Sequence, residues 1–163
     1  MKILLTNAGR RTYIVDYLFK LKDEYDPKIE VFVTDTSENT ASFWVDKRLN
    51  KFLTPRVGLS DKKYLNSLIK LCKKNKIDIL IPLMDYELHI LAKNKKLFES
   101  NGTSIIISDY GTVLNFLDKE KNHKLCLKNN LKVPKLWKNF SQIPAQKKIV
   151  VKKKKEVVVK ILI

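Results

Sequence analysis

Apolar positions along this chain keep two spacings, and the spacing alternates from one stretch to the next. The run from Ile3 to Thr6 is continuously apolar, the pattern of a strand buried on both faces of a parallel sheet. It breaks at Asn7-Ala8-Gly9, small residues that permit a tight turn. Helical spacing follows, with Ile14, Leu18 and Leu21 on one side. Asp26-Pro27 marks a turn. Ile29 to Thr34 then predicts a second strand, in which Ile29, Val31 and Val33 alternate with Glu30 and Phe32. Asn39 to Trp44 reads as a short helix and Asn50 to Pro55 as a short strand.

Ser60-Asp61 is placed to cap an amphipathic helix through Lys74, with Tyr64, Leu65, Leu68, Ile69 and Cys72 facing inward. Ile77 to Leu83 is a near-continuous apolar strand that runs into Met84-Asp85-Tyr86-Glu87. The next helix carries Leu88, Leu91, Ala92 and Leu97 and closes at Asn101-Gly102. Thr103 to Ser108 predicts a fifth strand, and Asp109 opens a helix through Leu117. This alternation argues an α/β fold, a doubly wound, Rossmann-like open parallel sheet with right-handed crossovers, over residues 1–117. A helix and a turn at 118–137 form a linker, and 138–163 differ in composition.

In such sheets, ligands bind outside the carboxyl ends of the strands, against helix N-termini whose free N–H groups favour anions. Gly9, Arg10 and Arg11 sit at that end of the first strand. Only Arg48 and Arg56 join Arg10 and Arg11 as arginines in a chain that otherwise uses lysine. A pair of guanidinium forks there suits a bidentate contact to a small-molecule carboxylate or phosphate. The plainer alternative is that one arginine pairs within the sheet edge and the other is solvated. A single glycine excludes the three-glycine dinucleotide fingerprint. Asp35, at the end of the second strand, suits a hydroxyl contact or a helix N-cap equally. Asp85 and Glu87 fall at a strand's carboxyl end and are expected on the same rim, with capping of the next helix as the alternative for Asp85. His89 lies among aliphatics and lysines and reads as packed or surface-exposed.

A net charge of +16 invites a nucleic-acid reading. However, seven lysines and one glutamate lie from Lys147 onward, and the other lysines are spread over helix faces with asparagines among them. A/T-rich codons explain much of that charge, and there is no basic-aromatic interleaving of the kind that stacks bases. No specific nucleic-acid partner is expected, only nonspecific adhesion at low salt. No apolar run is long enough to span a membrane, and the expected location is cytoplasmic. Cys72 and Cys126 sit in apolar helical patterns and are expected to be reduced.

The opening ILLTNAGRR, Thr34-Asp35, IPLMDYEL from Ile81 to Leu88, and LDKEKNHKLCLKNNLKVPKLW from Leu117 to Trp137 together resemble the ATP-grasp ligases. The branch resembled is that of the carbamoyl-phosphate synthase large subunit, over about the first five-sixths of the chain. The resemblance implies that 1–117 is a pre-ATP-grasp domain, 118–137 the hinge helix and linker, and 138–163 the start of the ATP-grasp domain. It implies ATP and Mg as cofactors of the parent enzyme, with Lys119 and Lys152 on the ATP side, and none binding tightly to this chain alone. The family's glycine/serine loop is missing after Lys152, where the chain reads Lys153-Lys154-Lys155-Glu156. With A/T-rich codons, the neighbouring frame from Lys155 would encode Gly-Ser-Ser-Ser-Lys-Asn-Ile-Asn. The chain is therefore expected to be a truncated or frameshifted ligase, inactive alone, partnered by a separate ATP-grasp polypeptide or by itself. The alternative is a stand-alone Rossmann-like module for a small anion or a nucleotide.

Overall fold

The apolar run at the amino terminus becomes β1 (Lys2–Thr6), the middle strand of a five-stranded sheet ordered β3-β2-β1-β4-β5. The computed structural model describes residues 1–137, 139, 141, 149–152 and 159–162. By its internal contacts the chain divides into two units, Met1–Asp109 and Tyr110–Ile163; the sequence pattern drew this boundary at Leu117.

In the first unit, α1 (Thr12–Glu24) connects β1 to β2 (Glu30–Asp35). A 3-10 turn (Ala41–Trp44) precedes β3 (Asn50–Leu53). Next come α2 (Asp61–Asn75), β4 (Ile79–Pro82), α3 (Asp85–Lys93), α4 (Lys95–Glu99) and β5 (Ser104–Ile105). All four ladders are parallel, with Leu4 opposite Phe32 on one side and Leu80 on the other. Because side chains alternate across a strand, β1 feeds two cores. Leu4, with Phe32 and Leu80, packs under Tyr64, Leu68 and Leu91 on one face. Ile3 and Leu5, with Val31 and Val33, pack under Val15 and Phe19 on the other. Burial of each such large side chain stabilises the unit by about 1.5–3 kcal/mol.

Several expectations shift in detail. The buried residues of α1 are Val15 and Phe19, with Ile14 and Leu18 flanking them, while Leu21 is exposed. Phe32 does not point to solvent between apolar neighbours, because β2 is covered on both faces. Leu71 joins the inward face of α2. Strand pairing in β5 covers only Ser104–Ile105, shorter than its apolar run.

In the second unit, α5 (Tyr110–Leu117) packs against α6 (Lys119–Lys128). Asp118 caps α6 by accepting the N–H groups of Glu120 and Lys121 at 3.0 and 3.1 Å. Ile149–Lys152 forms β6, paired antiparallel with β7 (Val159–Leu162). The glycine-free segment from Lys153 to Glu156, where the resemblance expects a phosphate loop, lies outside the described residues.

Candidate anion site at the carboxyl rim of the sheet

The turn after β1 is built by two residues in the left-handed region, Asn7 (φ +48°) and Gly9 (φ +56°). Such a conformation costs a side-chain-bearing residue about 1–2 kcal/mol, so Asn7 must be held there by its surroundings. It is 2% exposed, and its amide nitrogen donates to the Tyr64 hydroxyl and to Glu87 Oε2, both at 2.8 Å. The Tyr64 hydroxyl also donates to Glu87 Oε2. The other carboxylate oxygen of Glu87 accepts the N–H groups of Leu83 (3.2 Å) and Met84 (3.1 Å). One buried carboxylate therefore joins the β1 turn, α2 and the start of α3.

This corrects the expectation that Glu87 faces the rim. Glu87 is fully buried, because it shares the inward face of α3 with Ile90 and Leu91, three and four residues on. It reaches back to the N-cap position, which is Met84 and not Asp85. Burial pushes the Glu87 carboxyl above the usual range, and hydrogen bonding, from Tyr64 first, opposes the shift. Burial, followed by the charge of Glu87, pushes the Tyr64 hydroxyl up in turn. Asp85 is the exposed first residue of α3, where a negative charge suits the helix dipole.

Asp35 caps no helix, since the next helical turn starts at Ala41 behind Thr40. Its carboxylate instead accepts the N–H groups of Gly9 (2.9 Å) and Thr36 (2.7 Å), and its carbonyl accepts the N–H of Thr54 (2.9 Å). Ser42 donates its N–H to the Gly9 carbonyl at 3.1 Å. The turn is thus tied to the ends of β2 and β3 and to the 3-10 turn.

What this scaffold presents is cationic. Arg10 is exposed, and among the described residues no carboxylate or hydrogen bond holds its guanidinium. Arg11 reaches the Met84 sulfur across the rim. Arg56, in the loop after β3, is exposed and likewise unheld among the described residues. Tyr86, the second residue of α3, is half-exposed. Burial raises its pKa, the charges of Glu87 and Asp35 add to that, and Arg11 and Arg56 oppose it. Arg56 was not singled out by the sequence pattern, because its loop has no periodicity; the scarcity of arginine was the only signal.

The structure brings Gly9, Arg10, Arg11, Asp35 and Asp85 together on one rim. Lys119, the first residue of α6, and Lys152, the last of β6, belong to the other unit. Among the described residues no group of three or more His, Cys, Asp or Glu side chains could hold a metal ion. Cys72 is buried, and burial pushes its thiol up to about 11. No helix among the described residues is long and apolar enough to cross a membrane.

A parallel sheet with a small-residue turn and arginines at its carboxyl edge defines a Rossmann-like domain. Residues 3–106 match the PylC-like N-terminal domain family, and the chain belongs to that family. No curated protein matches the chain. Among solved structures it resembles the L-amino acid ligase of Bacillus licheniformis, with a TM-score of 0.61 and 13% identity over 98% of this chain and 39% of that one. It also resembles the biotin carboxylase subunit of pyruvate carboxylase, with a TM-score of 0.54 and 19% identity over 81% of this chain and 28% of that one. A third likeness is the biotin carboxylase domain of Hydrogenobacter thermophilus 2-oxoglutarate carboxylase, in complex with MgADP and bicarbonate. There the TM-score is 0.52 and the identity 16%, over 79% of this chain and 27% of that one. The chain thus spans between about a quarter and two-fifths of these enzymes.

Proposed function

We propose that this chain is the substrate-side portion of an ATP-dependent carboxylate–amine ligase, and that the Asn7–Arg11 turn seats an anionic group of the substrate. The observation that carries this reading is the pair Arg10 and Arg11, displayed on a turn whose every backbone anchor is supplied by buried or hydrogen-bonded partners. Because the backbone that carries both arginines is fixed, binding a carboxylate costs side-chain freedom alone. Membership in the PylC-like family supports the reading, as does a fold shared with an L-amino acid ligase and with a biotin carboxylase domain in complex with MgADP. The closer likeness to the carbamoyl-phosphate synthase large subunit is part of the proposal, as is a cytoplasmic location. In the whole enzyme Mg-ATP would activate a carboxylate as an acyl phosphate, and Gly9, Arg10, Arg11, Asp35 and Asp85 would position the substrate. Lys119 and Lys152 would belong to the ATP side.

Calorimetric titration of the chain with simple carboxylates tests the site. Binding that is lost on Arg10→Ala supports it, and binding indifferent to Arg10 and Arg11 overturns it. ATP turnover by the 163-residue chain alone would overturn its assignment as the substrate-side portion. A stand-alone binding module is the second reading, favoured by the two cores that Met1–Asp109 builds on its own sheet. A gain in ligand affinity on adding a separate ATP-grasp polypeptide separates the first reading from the second.

A further inference from the structure

Arg56 gives the rim a second cationic side. Its loop begins at Thr54, whose N–H donates to the Asp35 carbonyl at 2.9 Å, while the Asp35 carboxylate accepts the Gly9 N–H at 2.9 Å. Asp35 therefore anchors both arms, with Arg10 directly after Gly9 and Arg56 two residues after Thr54. Strand β2 lies between β1 and β3, so the two anchor points stand two strand spacings apart, about 10 Å. Two carboxylates beneath the rim are already engaged: Asp35 by backbone N–H groups, and Glu87 by Asn7, Tyr64 and the Leu83 and Met84 amides. Elsewhere the chain treats arginine differently, since Arg48 is held by Asp23 and Asp46.

We propose that this rim takes a ligand with two separated anionic groups, one held by Arg10 and Arg11 and the other by Arg56. The proposal rests on the anion-site reading of the Asn7–Arg11 turn and adds the substrate class. Drawing both arms onto one carboxylate would bring like-charged guanidinium groups together, whereas a short dicarboxylate or a carboxylate joined to a phosphate-like group lets each arm keep an anion of its own.

The test is calorimetry on the full chain at about 0.15 M salt, where contacts between distant exposed charges are screened. Acetate and inorganic phosphate serve as single-group probes, glutarate and 3-phosphonopropionate as two-group probes. The expected result is that a two-group probe binds about ten- to a hundredfold tighter than either single-group probe, the worth of a further charge-assisted contact. Arg56→Ala should erase that advantage; Lys70→Ala, on the exposed face of α2, should keep it. A preference between the two-group probes identifies the second anion, and either preference supports the proposal. Two-group probes that bind no tighter than acetate, or an Arg56→Ala chain that keeps the advantage, overturn it. If Arg10→Ala still abolishes acetate binding in that case, the underlying anion site stands. If no probe binds at all, both readings fall.

Discussion

At the amino-terminal edge of the sheet, Arg48 donates to Asp23 at 2.6 Å and to Asp46 at 2.8 Å, and its guanidinium lies 4.8 Å from the centre of the Phe19 ring. At the carboxyl edge of the same sheet, Arg10 and Arg56 meet no such partner among the described residues. The difference lies in where the acids are spent. Asp23 and Asp46 neutralise an arginine, whereas Asp35 and Glu87 accept backbone, amide and hydroxyl donors and so hold the frame on which the rim arginines are displayed. One edge uses charge to close a surface. The other keeps charge available at the end of a parallel sheet where ligands bind.

Removing the carboxylate beneath the carboxyl edge is the harshest way to break this contrast. Glu87→Ala leaves the Asn7 amide, the Tyr64 hydroxyl and the Leu83 and Met84 N–H groups without their shared acceptor. The expected loss is about 3–5 kcal/mol in urea unfolding, with anion binding lost as the turn relaxes. A loss under about 1 kcal/mol would show that the network is not structural. The pH dependence has a definite sign. Because the folded pKa of Glu87 is raised from the ordinary value of 4.5, the folded chain holds this proton more tightly than the unfolded chain does. Its contribution is therefore largest in acid and declines as pH rises through the folded pKa. The stability of the parent chain minus that of Glu87→Gln should fall over that interval, and a flat difference would contradict the raised pKa.

Much of the frame was legible in the sequence, and the reason is periodicity. The apolar run of β1, the turn at Asn7 to Gly9 and the amphipathic α2 each carry their own signal, and together they require a parallel sheet with β1 inside it. Arg10 and Arg11 were visible as arginines against a lysine background. The misplaced residue was Glu87, because a carboxylate in a polar Asp-Tyr-Glu string reads as exposed until its helical phase with Ile90 and Leu91 is weighed against its chemistry. Asn7 and Tyr64 were read for size and apolarity, and their polar atoms turned out to matter more. Whether a buried donor finds its acceptor across three elements is a tertiary fact, which spacing along the chain does not carry.

Milder changes sharpen the contrast. Tyr64→Phe keeps the ring in its core and removes one hydroxyl, so it should cost about 1–2 kcal/mol and weaken anion binding by displacing Asn7. Unchanged stability would mean that the Tyr64–Glu87 contact contributes nothing net. Gly9→Ala should cost about 1 kcal/mol, because a Cβ is strained at φ +56° although its nearest contact, the Asn7 carbonyl at 3.8 Å, is ordinary. Its measurable effect should fall on affinity more than on melting temperature, since the strain is local to the turn. An affinity equal to that of the parent would show that the turn tolerates a shift and is not the seat of the ligand.

The smallest effect is expected at the opposite edge. Arg48 holds Asp23 and Asp46 below their ordinary carboxylate pKa, chiefly through its side-chain hydrogen bonds. A lowered folded pKa gives stability that is present above about 3.8 and is lost as pH falls through the folded value. Arg48→Ala should therefore lower the neutral plateau of a stability-versus-pH curve slightly and flatten its acid limb, the difference from the parent vanishing below the folded carboxylate pKa; the whole effect is small because the pair is solvent-screened. Added salt should shrink the difference between parent and variant further. Anion binding should not change, since the cluster lies at the far end of the strands. Should Arg48→Ala weaken anion binding as much as Arg10→Ala does, the division of labour between the two edges would be wrong, and the binding would be a property of the chain's overall positive charge.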